Sequence, residues 1–235
     1  MKDPLRIEST LKALQQAWEG QPDLSLGQLL SMATDHTFGW GTEDEEIANR
    51  LQDMAANNPA ELPIDDGKVR GAWLLQTDQP RRRVSIDGQL LISRALDAQG
   101  RPGQPTVWEY SHIRPTGPYR RLMVTDCAGC EHSMGITVAM RRLPTVSSEL
   151  GELKDLTGLR RLDMGERVYL LQTSEGSVVL DHGVHVFSTS RRQLHRRDFG
   201  WEKIEQGTLA QQLTIVGRNG VVEQLGELMR ILVAE

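Results

Sequence analysis

The chain is predicted to be an α+β protein: a small helical N-terminal module, then a strand-rich body of two similar lobes, each a β-meander closed by a helix. Three observations predict it. Apolar residues recur at helical spacing through residues 1–55. Beyond them, short apolar runs alternate with turn signals such as Asp87-Gly88 and Asn219-Gly220, the pattern of hairpins. Finally, Leu-Leu-Gln-Thr occurs at 74–77 and again at 170–173, and each copy opens a similar succession of features.

In the N-terminal module, Ile7, Leu11, Leu14 and Trp18 share one face of a first helix, which Gly20 and Pro22 break. Leu26, Leu29, Leu30 and Ala33 give a second helix its inward side. In the third, GTEDEEIANRLQDMA, Thr42 is the expected N-cap and Glu45 its capping-box partner. The acidic run Glu43–Glu46 complements the positive end of that helix dipole, and Ile47, Leu51 and Met54 form its buried side. Residues 56–68, rich in Pro, Asn and Asp, read as a linker.

The stretch RIESTLKALQQAWEGQPDLSLGQLL, followed by Asp35, Phe38 and the EDEEI helix start, resembles a family of small uncharacterised bacterial proteins. Their pattern is a helix ending in Trp, then Pro-Asp-Leu-x-Leu-Gly-Gln-Leu, then Glu-Asp-Glu before a last helix. The resemblance covers the first 55 residues or so. It implies a compact helical module that stands alone or is appended, suited to docking rather than catalysis. No catalytic residue carries over from it.

The body divides into a lobe at 69–145, a bridging helix at 146–164 and a second lobe at 165–235. WLLQTDQPRRRVSIDGQLLIS from Trp73 is laid against YLLQTSEGSVVLDHGVHVFSTS from Tyr169, and both lead on to a Trp-Glu pair, at 108–109 and 201–202. GVVEQLGELMRILVAE is the expected closing helix of the second lobe, with Val222, Leu225, Leu228, Met229 and Leu232 on one face. CEHSMGITVAMRRL is its counterpart in the first lobe and fits helix or strand. SSELGELKDLTGL (147–159) is the bridging helix, capped by Ser147 or Ser148.

The totals bound the class. The chain has 235 residues, 38% apolar and 25% charged, with net charge −5. Residues 1–65 carry 4 Lys+Arg and 12 Asp+Glu, or −8; the remainder carries 23 and 20, or +3. No apolar run approaches the ~18 residues of a membrane span, and the N-terminus lacks a secretory apolar stretch. Two cysteines are too few for a disulfide framework. A cytoplasmic protein is expected, with no membrane partner.

Chemistry concentrates in DCAGCEH (126–132). Cys127, Cys130 and His132 could supply three zinc ligands. The fourth would come from His112, Asp126 or the DHGVH run with Asp181, His182 and His185. As a thiol pair, Cys-Ala-Gly-Cys after an apolar strand matches a thioredoxin-like arrangement in part, although the surrounding βαβ order is missing. The third reading makes the cysteines buried packing residues, with Gly129 supplying the left-handed turn position that Gly220 supplies in the second lobe.

Arginine doublets recur, and VHVFSTSRRQLHRRDFGW interleaves aromatics with cations. Arg191, Arg192, Arg196, Arg197, Phe199 and Trp201 are therefore candidate phosphate and base contacts. Walker, nucleophile-elbow and dinucleotide glycine motifs are absent. With no complete catalytic constellation and no cofactor motif, the leading expectation is a non-enzymatic adaptor acting through a protein partner. The alternatives are a nucleic-acid or nucleotide-binding protein, in a phage-defence or toxin setting, and a zinc or thiol site at Cys127/Cys130.

Overall fold

A computed structural model of the chain describes residues 4–34, 43–143, 153–190 and 193–235. It is an α+β protein, with three helices ahead of a strand-rich body. The helices are α1 (Leu5–Gly20), α2 (Leu26–Thr34) and α3 (Asp44–Asn57). Ala13, Ala17, Leu29, Ala33, Ala48 and Leu51 make their core. Residue Thr42 lies outside the described residues. Glu43 is the N-cap of α3 and makes no side-chain cap bond; the acidic first turn of Asp44, Glu45 and Glu46 complements the helix dipole, and Asp44 and Glu46 also pair with Arg6 and Arg50.

The expected linker is built in. A two-stranded hairpin, β1 (Ile64–Asp65) and β2 (Lys68–Val69), occupies it, Leu62 is buried, and the Leu62 N–H donates to the Thr116 carbonyl at 2.9 Å.

Six antiparallel strands then close a barrel: β3 (Trp73–Asp78), β4 (Arg82–Ile86), β5 (Leu90–Leu96), β6 (Pro102–Ile113), β7 (Arg121–Asp126) and β8 (Glu131–Arg142). Its interior holds Leu75, Val84, Ile86, Tyr110, Leu122 and Met140 among others. The second sheet contains β9 (Tyr169–Thr173), β10 (Gly176–Leu180), β11 (Val184–Ser190), β12 (Gln193–Phe199), β13 (Trp201–Gln206), β14 (Gln212–Gly217) and β15 (Val222–Val233). Its order is β12-β11-β10-β9-β15-β14-β13. The two edge strands are consecutive in the chain and meet at Gly200, so this sheet curls until its ends are joined covalently.

The two pairing schemes follow one register. Leu75 faces Met140 as Leu171 faces Ile231. One residue past the same β-bulge, Thr77 faces Thr137 as Thr173 faces Leu228. Tyr110 faces Asp126 and Ile113 faces Val124, as Trp201 faces Gly217 and Ile204 faces Ile215. The register therefore equates Trp201 with Tyr110, and the Trp-Glu pairs at 108–109 and 201–202 are out of step. Tyr110 and Trp201 do the same work: the phenol donates to the Asp87 carbonyl and the indole N–H to the Asp181 carbonyl, at 2.5 and 2.8 Å.

Two expected helices are corrected. Residues 222–233 form strand β15, in which Val222 and Met229 are exposed while Leu225, Leu228 and Leu232 are buried. Residues 153–160 of the bridging segment form turns and two isolated bridges, and a single 3-10 turn follows at Arg161–Asp163. Residues 146–152, the rest of that predicted helix, lie outside the described residues.

Contacts divide the chain into two compact units, 1–91 with 108–144 and 92–107 with 145–235. The helices and most of the first barrel fall in one unit. The tip of the β5–β6 hairpin falls in the other.

Candidate functional site

The hairpin joining β7 to β8 carries both thiols. Asp126 ends β7, and its N–H donates to the Cys130 carbonyl while the Gly129 N–H donates back to the Asp126 carbonyl. Gly129 sits at φ +85°, the left-handed position such a turn requires, with open space around it. The Asp126 carboxylate ties the loop from inside: Oδ1 accepts the Ala128 and Cys130 N–H groups at 2.9 Å each, and Oδ2 lies 2.8 Å from His132 Nε2. The hydrogen bond to His132, with the Cys130 N–H next in weight, holds this carboxyl below the usual carboxylate range. His132 also packs against Trp108, with ring centroids 4.9 Å apart.

Cys127 and Cys130 are both exposed and unbonded. Their expected role as buried packing is thereby corrected. A four-residue turn at a barrel mouth has no core beneath it, so a small apolar side chain there gains no burial.

Of the remaining candidate metal ligands, His112 lies on β6 in the same unit, whereas Asp181, His182 and His185 belong to the other unit. His182 lies in the turn between β10 and β11, and His185 on β11. Among the described residues, no three His, Cys, Asp or Glu side chains are grouped to hold a metal ion.

His185 belongs instead to a charged cluster. Its Nε2 lies 3.3 Å from Asp181 Oδ1 and its Nδ1 3.0 Å from Asp198 Oδ1. Arg196 Nε donates to Asp198 at 2.8 Å, and its Nη1 donates to the Pro102 carbonyl at 2.8 Å. The hydrogen bond to Asp181 raises the His185 pKa, burial opposes it, and Asp198 adds to the rise. Burial pushes Asp181 and Asp198 up. For Asp181 the hydrogen bonds from His185 and the Gly183 N–H outweigh it, and for Asp198 those from Arg196 and His185 do, so both carboxyls end below their ordinary value.

The arginine–aromatic stretch runs along β11 and β12 to the start of β13, with Arg191 and Arg192 outside the described residues. Trp201 is fully buried in the core of the second sheet, so it offers no face to a base; its expected stacking role is corrected. Arg197 pairs with Glu223 at 2.7 Å and lies over the half-buried Phe199 ring. Arg196, committed to Asp198 and Pro102, also covers Phe187. These two cations are matched to carboxylates of their own unit.

The feature that sequence reasoning missed is on α1. The helix turns Ala13, Ala17 and Gly20 inward, leaving Ile7, Leu11 and Trp18 at 54%, 58% and 38% exposure. At ~100° per residue the two faces lie about a third of a turn apart. The inward face is small because α1 packs close: a Cβ on Gly20 would fall 1.8 Å from the Asn58 carbonyl oxygen. Arg6 and Asp44 clamp the other end of the contact between α1 and α3. Leu11, Leu14, Gln15, Trp18, Glu19 and Pro22 line the resulting apolar depression. The Trp18 indole is fixed in place by its N–H, which donates to the Leu24 carbonyl at 2.8 Å. The signal available in the sequence was the second stripe, Ala13-Ala17-Gly20, whose small residues permit the closer packing.

No protein-family model matches the chain, and no curated relative matches it. Among the described residues, no helix is long and apolar enough to cross a membrane.

Proposed function

We propose that the chain is a non-enzymatic adaptor whose N-terminal helices dock a basic, amphipathic helical segment of a partner protein. The observation that carries this reading is the exposed stripe of Ile7, Leu11 and Trp18, beside the half-buried Leu14. Six of the twelve exposed large hydrophobics among the described residues, Leu5, Ile7, Leu11, Trp18, Leu26 and Met32, lie on α1 and α2. A contiguous apolar face of that kind marks an interaction site, and a fixed, half-exposed tryptophan is a common energetic anchor. Residues 1–65 carry −8, so the surround favours a cationic partner and disfavours a second copy of the same module. The matching registers of the two sheets support reading the body as an internal duplication that carries this module.

The test is calorimetric titration of the full chain with two synthetic helical peptides. One carries leucines at i, i+4 and i+7 opposite lysines, and the other has the same leucines opposite glutamates. The lysine peptide should bind, more weakly as salt rises, and Leu11→Glu should remove at least tenfold of the affinity without changing the melting temperature. Equal binding of both peptides, or no response to Leu11→Glu, would sink the reading. The nucleic-acid alternative predicts an affinity for single-stranded oligonucleotide that falls steeply with salt.

A further inference from the structure

We propose that Cys127 and Cys130 form a reversible dithiol–disulfide site at the tip of the β7–β8 hairpin, oxidised by low-molecular-weight disulfides. The second sheet supplies an internal control for what these thiols contribute to folding. The register sets the turn Asp126–Cys130 against Gly217–Val221. That turn makes the same backbone bonds, with the Gly217 N–H donating to the Val221 carbonyl at 2.8 Å and the Gly220 N–H to the Gly217 carbonyl at 2.9 Å. Gly220, at φ +74°, fills the place of Gly129. Arg218 and Val221 stand where the cysteines stand. The turn therefore forms without sulfur, and the thiols of the first barrel are free and exposed.

Placement makes the pair a pair. Asp126 and Cys130 are bonded across the hairpin, so Cys127 is one residue from the partner of Cys130. The Asp126 N–H to Cys130 carbonyl bond closes a short turn in which Cys127 and Cys130 are the first and last residues, and a disulfide between them needs a Cα separation of ~4.4–6.8 Å. The Asp126 carboxylate fixes the intervening backbone through the Ala128 and Cys130 N–H groups, so the two thiols are held on one short loop rather than on independent segments. Both are open to solvent, which an external disulfide needs for its approach.

The exchange balances as follows. One cysteine gives up its proton and its thiolate attacks a sulfur of the external disulfide, forming a mixed disulfide and expelling one small thiolate. The second cysteine, deprotonated in turn, attacks the protein sulfur of the mixed disulfide and expels the other small thiolate. The chain loses two electrons and two protons, and one external disulfide becomes two thiols. Reduction by an excess of small thiol runs the same steps backwards.

The experiment equilibrates the full-length reduced chain, without oxygen, in mixtures of glutathione and glutathione disulfide, quenches with acid, alkylates and records intact mass. The expected product is a single chain that has lost two hydrogens and takes up no alkylating agent. Its midpoint should not depend on protein concentration, and dithiothreitol should reverse it. Cys127→Ser and Cys130→Ser should each stop at one retained glutathione. A wild-type chain that keeps glutathione on one or both cysteines and never closes overturns the proposal. So does a product linked between chains. The Cys127→Ser/Cys130→Ser chain should melt where the wild type does; a large drop would show the thiols to be structural and would also overturn it.

Discussion

Arg94 and Glu235 form a buried ion pair: Arg94 Nη2 donates to Glu235 Oε1 at 2.7 Å, with the two side chains only 2% and 5% exposed. Arg94 lies on β5, within the hairpin tip that belongs to the second compact unit, and Glu235 follows β15. The Glu235 carbonyl accepts the Val168 N–H at 2.9 Å, and the Glu235 N–H donates to the Val168 carbonyl at 3.1 Å, so the acid stands on a fixed backbone.

Removing one member of this pair should strand a buried charge. Glu235→Ala is expected to cost about 3–5 kcal/mol in urea unfolding, whereas Arg94→Leu combined with Glu235→Leu should recover most of that loss. If each single variant costs under ~1 kcal/mol, the pair is not holding the hairpin tip in place.

Tyr110 predicts an alkaline limit to stability. Its ring is buried and its phenol donates to Asp87 while accepting the Val69 N–H at 3.0 Å. Burial, against the pull of the Val69 N–H and helped by the Asp87 charge, pushes its pKa up to about 12. The folded pKa exceeds the unfolded value of ~10, so this contribution is full below pH ~10 and is lost as pH rises toward the folded value. Tyr110→Phe should cost about 1–3 kcal/mol at neutral pH and flatten the loss above pH ~10. A phenolate band from Tyr110 that develops below pH ~10 would contradict the argument.

His185 predicts a second dependence, near neutrality. Its folded pKa is raised, chiefly by Asp181, so its contribution is full below the unfolded value of ~6.5 and drains as pH climbs through the folded one. Asp181 and Asp198 are depressed, so theirs is present above the unfolded value of ~3.9 and lost as pH falls through the folded values. Melting temperature should therefore peak between these limits and decline from pH ~6.5 upward. His185→Asn should remove that decline; wild-type and variant profiles that run parallel would rule the cluster out as its source.

The sequence conveyed the α+β class and the three helices because helical periodicity is a local property. It conveyed less about which face is covered. Ile7, Leu11, Leu14 and Trp18 formed one stripe on α1, but the close contact with α3 falls on the small side of Ala13, Ala17 and Gly20, and of the stripe Leu14 is the residue packed against the helical core. Strand β15 was misread as a helix for a related reason. Its ladder shifts register between Leu228 and Arg230, so the residues of the sheet's core run Leu225, Leu228 and Ile231 rather than alternating. A bulge inside a long barrel strand imitates the three-and-four spacing of a helix. At the candidate site, DCAGCEH was visible as chemistry, but the exposure of its thiols was not, because exposure depends on where the barrel mouth falls.

Gly200 has a consequence for solubility. A closed barrel exposes no unpaired edge, but the second sheet ends in β12 on one side and β13 on the other. Open edges invite strands from neighbouring molecules, and charged side chains along them discourage such pairing. Along β12 stand Arg196, Arg197 and Asp198, each held in an ion pair of its own unit. The arginines that read as a grip for phosphate thus fence an edge along which chains of this protein could zip together.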